Sequence, residues 1–98
     1  MPDITVSRND DASRYEIRLD STLVGYAEFD RRPGEFRFIH TEIDHAFQGR
    51  GLGQQLAAEA LADAAATGDA ITPYCPFIAG CLAKHPLDGV EIRLPNQG

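Results

Sequence analysis

Phe36-Arg37-Phe38-Ile39-His40-Thr41-Glu42-Ile43, then Gln48-Gly49-Arg50-Gly51-Leu52-Gly53 and the run on to Thr67, is the stretch that decides the fold. Its first part is rich in β-branched and aromatic residues and holds neither glycine nor proline, which predicts a strand. After the glycines the period changes. Leu52, Leu56, Ala57, Ala60, Leu61 and Ala64 recur at helical spacing, and Gln55, Glu59 and Asp63 form a polar row at intervals of four. The unit is strand, glycine loop, helix. Gly49, Gly51 and Gly53 carry no Cβ, so the main chain there can approach an anion closely. A helix beginning at that point presents unpaired N–H groups and the positive end of its dipole. The unit is a phosphate cradle.

Working back toward the N-terminus, Tyr15, Ile17 and Leu19 alternate with Arg14, Glu16 and Arg18, the period of a half-buried strand. Ile4-Thr5-Val6 alternates ahead of a polar turn from Asn9 to Ser13, and Asp20-Ser21 supplies a tight connection to a third strand, Leu23 to Phe29. In that strand Leu23, Ala27 and Phe29 are expected on the side of Gly25, with Val24, Tyr26 and Glu28 on the other. Arg32-Pro33-Gly34-Glu35 places proline and glycine where a type II turn needs them. Four strands therefore run as an antiparallel meander into the glycine loop. Beyond the helix, Gly68 suits a left-handed C-terminal cap, and Ala70 to Tyr74 reads as a fifth strand, parallel to the fourth through a right-handed crossover. Pro76 opens a second helix running to about Lys84, and Pro86 ends it. Val90-Glu91-Ile92-Arg93 reads as one more edge strand and residues 94–98 as a frayed tail. The expected class is α+β, a mixed α/β arrangement in one domain spanning residues 1–98.

A chain of 98 residues buries roughly 60 to 65% of its unfolded surface, enough for one modest core. The net charge of −6, with Lys84 the one lysine, argues against nucleic acid as a partner. It favours a cationic acceptor such as an amine. No apolar run approaches the roughly 18 residues of a membrane span, and Met1-Pro2-Asp3-Ile4 has no leader pattern, so a cytoplasmic location without membrane contact is expected. Cys75 and Cys81 would be separated along a helix by about 9 Å of rise at ~1.5 Å per residue, beyond disulfide reach. Both are read as free thiols. The three histidines and two cysteines show no ligand spacing, so no metal is expected.

The ligand of the cradle narrows by elimination. A P-loop ends its glycines in Lys-Ser/Thr, whereas Gln54 and Gln55 follow Gly53. A dinucleotide fingerprint needs a third glycine where this chain has Gln54 or Leu56. The surviving pattern, Gln-x-x-Gly-x-Gly after a strand, resembles the pyrophosphate loop of the GNAT acetyltransferase superfamily. His40-Thr41-Glu42, the main helix, Pro73-Tyr74-Cys75-Pro76-Phe77 and His85-Pro86 are similar to the small stand-alone GNAT domains of the YjdJ type, over roughly residues 15 to 88. The resemblance implies acetyl-CoA as cosubstrate, with the pyrophosphate on Gln48, Gly49, Arg50, Gly51, Leu52 and Gly53. It also implies a pantetheine arm between the splayed fourth and fifth strands, where His40, Thr41, Glu42 and Ile43 on one side and Tyr74 and Cys75 on the other flank the acetyl group.

Within that frame His40 and Glu42, two apart on a strand, share a face. An imidazole suits removal of the proton from an ammonium acceptor, and a neighbouring carboxylate can attract the amine or act through water. The alternative places His40 as a hydrogen-bonded residue among Phe36 and Phe38 and Glu42 as a solvated strand residue. Cys75 precedes Pro76 and so takes a helix N-cap, a position whose dipole favours a thiolate. It is either a proton donor to the departing CoA sulfur or a transient acyl carrier, or else a small residue at a strand end. Tyr74 is a further proton donor or a half-buried aromatic, His85 a helix cap or a contact to the CoA adenine or phosphate, and Cys81 a packing residue. The expected activity is N-acetyltransfer to a small amine or a protein or peptide amine. The alternative is a non-catalytic CoA-binding or partner-binding module. Full-length GNAT domains carry a helical segment between their first two strands, and only the turn from Asn9 to Ser13 stands in its place here, so the acceptor pocket is expected to be open or completed by another chain.

Overall fold

The computed structural model describes residues 3–95, so most of the expected frayed tail, residues 96–98, lies outside the described residues. Five strands, β1 (Ile4–Asn9), β2 (Arg14–Leu19), β3 (Thr22–Arg32), β4 (Glu35–Ile43) and β5 (Ala70–Pro73), form one sheet in chain order. The first four are antiparallel, and β5 joins β4 in parallel after α1 (Leu52–Ala66). A second helix, α2 (Pro76–Lys84), follows. The meander, glycine loop, helix, parallel strand and short helix expected from the sequence are thus the fold.

The turn chemistry explains the strand order. Asn9 Oδ1 accepts the Ala12 N–H at 3.1 Å and closes the β1–β2 turn, while Gly34, at φ +75°, supplies the left-handed residue between β3 and β4. No helix intervenes between β1 and β2. Leu52, Leu56, Ala57, Ala60, Leu61 and Ala64 are the buried face of α1. The alanines let the helix approach an aromatic cluster on the sheet, in which Phe29 and Phe36 meet edge-on at 5.1 Å and Tyr15 lies 5.4 Å from Phe29. The Tyr15 ring is buried, but its hydroxyl reaches Asp63 Oδ2 at 2.8 Å, where Arg8 also bonds at 2.9 Å. Burial first, and the Asp63 carboxylate second, push its phenol well above the usual range. Ile78 and Leu82 bring α2 into the same core on the same side of the sheet.

Two bulges reset which residues face that core. Ile17 pairs with Gly25 and Arg18 with Leu23, so Val24 is an extra residue on β3. Val24 is therefore buried and Leu23 is 38% exposed, the reverse of strict alternation. Glu28 pairs with His40 but Phe29 with Phe38, which leaves Ile39 as an extra residue on β4. The expected C-terminal strand reduces to one parallel bridge, Ile71 with Ile92, held by Ile71 N–H to Glu91 O at 2.9 Å and Arg93 N–H to Ile71 O at 2.8 Å.

The outer face of the sheet, away from the helices, is polar and internally paired. Glu16 is buried there, taking bonds from Arg14 Nε at 2.7 Å, Arg18 Nη1 at 2.9 Å and Asn9 Nδ2 at 3.3 Å. Burial opposes its charge, but the three hydrogen bonds outweigh it, and the carboxyl titrates below the usual range. A group depressed in the folded state stabilises above the unfolded carboxylate pKa of about 4.3, and that stability is lost as pH falls through the folded value. Glu16→Gln is accordingly expected to cost about 1–2 kcal/mol at pH 7, since its arginine partners are partly solvated. In urea titrations the gap to the unsubstituted protein should close by pH 3. An equal gap at both pH values would contradict this account.

Candidate active site

The site begins where β4 outruns β5. The pairing ends at Phe38 opposite Pro73, and a last main-chain bond runs from Cys75 N–H to Phe38 O at 2.9 Å. Past it, Ile39–Ile43 continue along β3 with no β5 residue beside them. Between the diverging strands Cys75, the N-cap of α2, donates from Sγ to Thr41 Oγ1 at 3.5 Å. Cys75 is buried, and both cysteines are free thiols.

After β4, Asp44 caps a single 3₁₀ turn, His45–Phe47, by accepting the Ala46 N–H at 2.9 Å. Gln48 Nε2 then bonds Ile43 O at 3.2 Å, tying the loop to the strand end. Gly49 and Gly51 stand at φ +81° and +76°, a region side chains disfavour, and Gly51 is the N-cap of α1. No side chain caps this helix, and its first turn holds no acidic residue, so its leading N–H groups face outward unspent. Gly53 serves a different end. A Cβ there would stand 3.2 Å from Phe77 Cζ and 3.6 Å from Ile43 Cγ1, so the absence of a side chain makes room for Phe77 of α2.

These elements enclose a cavity of about 470 Å³, lined by Thr41 and Ile43, by Phe47 to Gly49, by Gly51 to Gln54, and by Phe77. Seven expected cofactor residues thus meet in one place: Thr41, Ile43, Gln48, Gly49, Gly51, Leu52 and Gly53. Arg50 stands beside it, its guanidinium 5.4 Å from the centre of the Phe47 ring. Three wall residues, Phe47, Gln54 and Phe77, were not anticipated. The glycine at position 53 is the one hint of Phe77 that the sequence held. His85 lines a second cavity of about 520 Å³ between α1 and α2, which shares Gly51, Gln54 and Phe77 with the first.

His40 and Glu42 fall on the outer face. The extra residue Ile39 changes the parity of β4, so Phe36 and Phe38 face the helices, then Thr41 and Ile43, while His40 and Glu42 turn away. The alternative of His40 among the phenylalanines is therefore corrected. His40 is half-exposed, with Nε2 3.8 Å from Glu42 Oε1. Tyr26, unanticipated, donates its hydroxyl to Glu42 Oε2 at 3.0 Å and places its ring 6.2 Å from His40. The hydrogen bond to Glu42, with some burial, raises the Tyr26 phenol above its usual range. Tyr74, half-exposed at the end of β5, lines neither cavity. The sheet thus carries a thiol and a hydroxyl on one side of its opening and an imidazole, a carboxylate and a phenol on the other.

A sheet that parts beside an uncapped, glycine-led helix leaves a cavity suited to an extended anionic ligand. Residues 14–90 match the model of the GCN5-related N-acetyl-transferase family, and the chain belongs to that family. Among solved structures it is similar to a ribosomal-protein-alanine N-acetyltransferase from Brucella melitensis biovar Abortus 2308, at 17% identity and a TM-score of 0.42 over 86% of this chain and 51% of that one. The chain spans about half the length of that enzyme. No curated protein matches it. Among the described residues no helix is long and apolar enough to cross a membrane.

Proposed function

We propose that this chain is an acetyl-CoA-dependent N-acetyltransferase acting on an amine from the outer face of the sheet. The observation that carries the reading is the cavity joining the open flank of β4 to the bare N-terminus of α1. Outward-facing N–H groups and Arg50 suit a pyrophosphate, and Thr41, Ile43 and Phe77 suit a pantetheine arm leading toward Cys75. Acetyl-CoA, when bound, supplies the activated acyl group. Glu42 attracts an ammonium acceptor, and the imidazole of His40 takes its proton. The freed lone pair would attack the thioester carbonyl; as the C–N bond forms and the C–S bond breaks, the Cys75 thiol would pass its proton to the leaving sulfur, and the second proton shed by the nitrogen would restore the Cys75 thiol. The opening between β4 and β5 lets the two partners meet from opposite sides. In a covalent route the Cys75 sulfur would take the acetyl group as the C–S bond to CoA breaks and the CoA thiol leaves with the Cys75 proton, and the amine would then attack the Sγ thioester and return a proton to Sγ.

Thermal stabilisation with CoA, acetyl-CoA, ATP and NAD in parallel tests the binding half. CoA at a hundred times its Kd contributes about 2.7 kcal/mol and should raise Tm by about 10 °C or more in a domain of this size, with ATP and NAD inert. CoA thiol release in the presence of small amines and lysine peptides tests the chemistry. Binding without release on any amine would leave a CoA-binding module, and a preference for ATP or NAD would remove the reading altogether.

A further inference from the structure

Tyr26 stands on the outer face beside the proposed acceptor-side pair and has no part in the chemistry above. It lies on β3 directly opposite Glu42 of β4, and Glu28 stands opposite His40 on the same two strands. The Tyr26 hydroxyl donates to Glu42 Oε2 at 3.0 Å, and Glu42 Oε1 lies 3.8 Å from His40 Nε2. The first distance is a hydrogen bond, and the second is too long for one. One carboxylate oxygen is therefore engaged, and the other is turned toward the imidazole without bonding it. A single nitrogen donating at the usual distance of about 2.9 Å can reach both acceptors across such a gap. Tyr26 and Glu42 also border a hollow of about 170 Å³ with Leu23, Val24, Gly25 and Asp44, so open space adjoins the carboxylate.

Left to itself, Glu42 would not keep that orientation. Its side chain is 59% exposed and that of His40 is 52% exposed, and a solvated glutamate gives up rotamer freedom when it is held in one geometry. Tyr26 is half-buried, and the Arg14 guanidinium lies over its ring, 5.1 Å from the centre. The ordered ring thus anchors the solvated carboxylate. The Glu42 hydrogen bond first, then desolvation and the charges of Glu42 and Glu28, raise the phenol above its usual range against the pull of Arg14, so the hydroxyl keeps its proton at neutral pH. We infer that Tyr26 is a positioning residue for the acceptor: its hydroxyl holds one oxygen of Glu42 so that the other, with His40 beside it, grips the incoming ammonium. This rests on the functional reading above and adds to it a residue outside β4 that works through Glu42.

Steady-state kinetics of the intact chain with acetyl-CoA, and with a short alkylamine and a lysine-containing peptide as acceptors, test it on Tyr26→Phe, which keeps the ring and removes the hydroxyl. The amine KM should rise about fivefold to tenfold, while kcat changes by about twofold at most and the acetyl-CoA KM stays the same. Tm should move by no more than about 4 °C. Glu42→Ala should raise the amine KM at least as much, and Tyr26→Phe added to it should do nothing further, because the two side chains act as one unit. NMR titration of the Tyr26 ring gives a reading that needs no acceptor: in Glu42→Ala the phenol should titrate nearer its usual value than in the unsubstituted protein. An amine KM unmoved by Tyr26→Phe, a further loss when it is added to Glu42→Ala, or a Tyr26 titration that Glu42→Ala leaves in place overturns the inference and leaves the functional reading standing. Acetylation of neither amine by the unsubstituted protein overturns the two together.

Discussion

Gly51→Asp is expected to lower acetyl-CoA affinity by a hundredfold or more, whereas Gly51→Asn lowers it by tenfold at most. Gly51 sits at φ +76° with open space around the position a Cβ would take. Asparagine and aspartate are the side chains that visit this region most readily, so both variants should keep the loop. They differ in one charge. Two unit charges 4 Å apart interact by about 4 kcal/mol at an effective dielectric constant of 20, and each 1.4 kcal/mol is tenfold in affinity. Screening in an open cavity reduces that figure, and a hundredfold remains after the loss of roughly a third. Relative to Gly51→Asn, which bears the same backbone strain, the carboxylate should at the same time raise the stability of the free protein by about 0.3–1 kcal/mol, because it meets the positive end of α1, which has no acidic residue in its first turn. Tighter folding with weaker binding distinguishes an occupied anion site from a damaged loop. Calorimetry of the two variants side by side measures both quantities, and equal affinities would mean that no anion rests on this helix.

The contrast also shows which parts of the molecule were legible beforehand. The change from strand to helix period between Ile43 and Leu52 is written in local residue spacing, so the strand, the loop and α1 could be read directly. Gly51 was legible for the same reason: a glycine just before an apolar 3.6-residue pattern marks a helix start without a side-chain cap. Pro76 fixed the start of α2, and with it the N-cap position of Cys75. The bulges at Val24 and Ile39 leave no such trace. Each is a choice about which residue of a neighbouring strand to pair with, and the alternation of Leu23-Val24 or Phe38-Ile39 is compatible with either register. That one step moved His40 and Glu42 to the outer face and brought Tyr26 onto Glu42. The groove between α1 and α2 was hidden too, because Gln54, Gln55, Gly80 and Lys84 meet only once both helices settle on the same side of the sheet. Local chemistry therefore located the loop and helix start proposed to hold the anion, and strand pairing decided which groups stand on the face proposed for the acceptor.

Phe38→Ala is expected to cost about 3–5 kcal/mol, the range for deleting a fully buried aromatic ring. Phe38 is 0% exposed and lies 6.0 Å from the Tyr15 ring, 6.1 Å from Phe36 and 6.5 Å from Phe29, so its removal opens the centre of the aromatic cluster. A domain of this length has about 5–15 kcal/mol in total, so Tm should fall by about 12 °C or more. The site should suffer with it, since Phe38 O holds the Cys75 N–H at the point where the strands part. His40→Ala is the partner experiment. Strict alternation places residues 38 and 40 on one face, and both substitutions would then be costly. With Ile39 as the extra residue, His40 faces solvent, and its replacement should change stability by no more than about 0.5 kcal/mol. Urea denaturation of the two variants compares them directly. A loss above 2 kcal/mol for His40→Ala would return the imidazole to the core, and with it remove the acceptor-side base from the face where the amine is proposed to arrive.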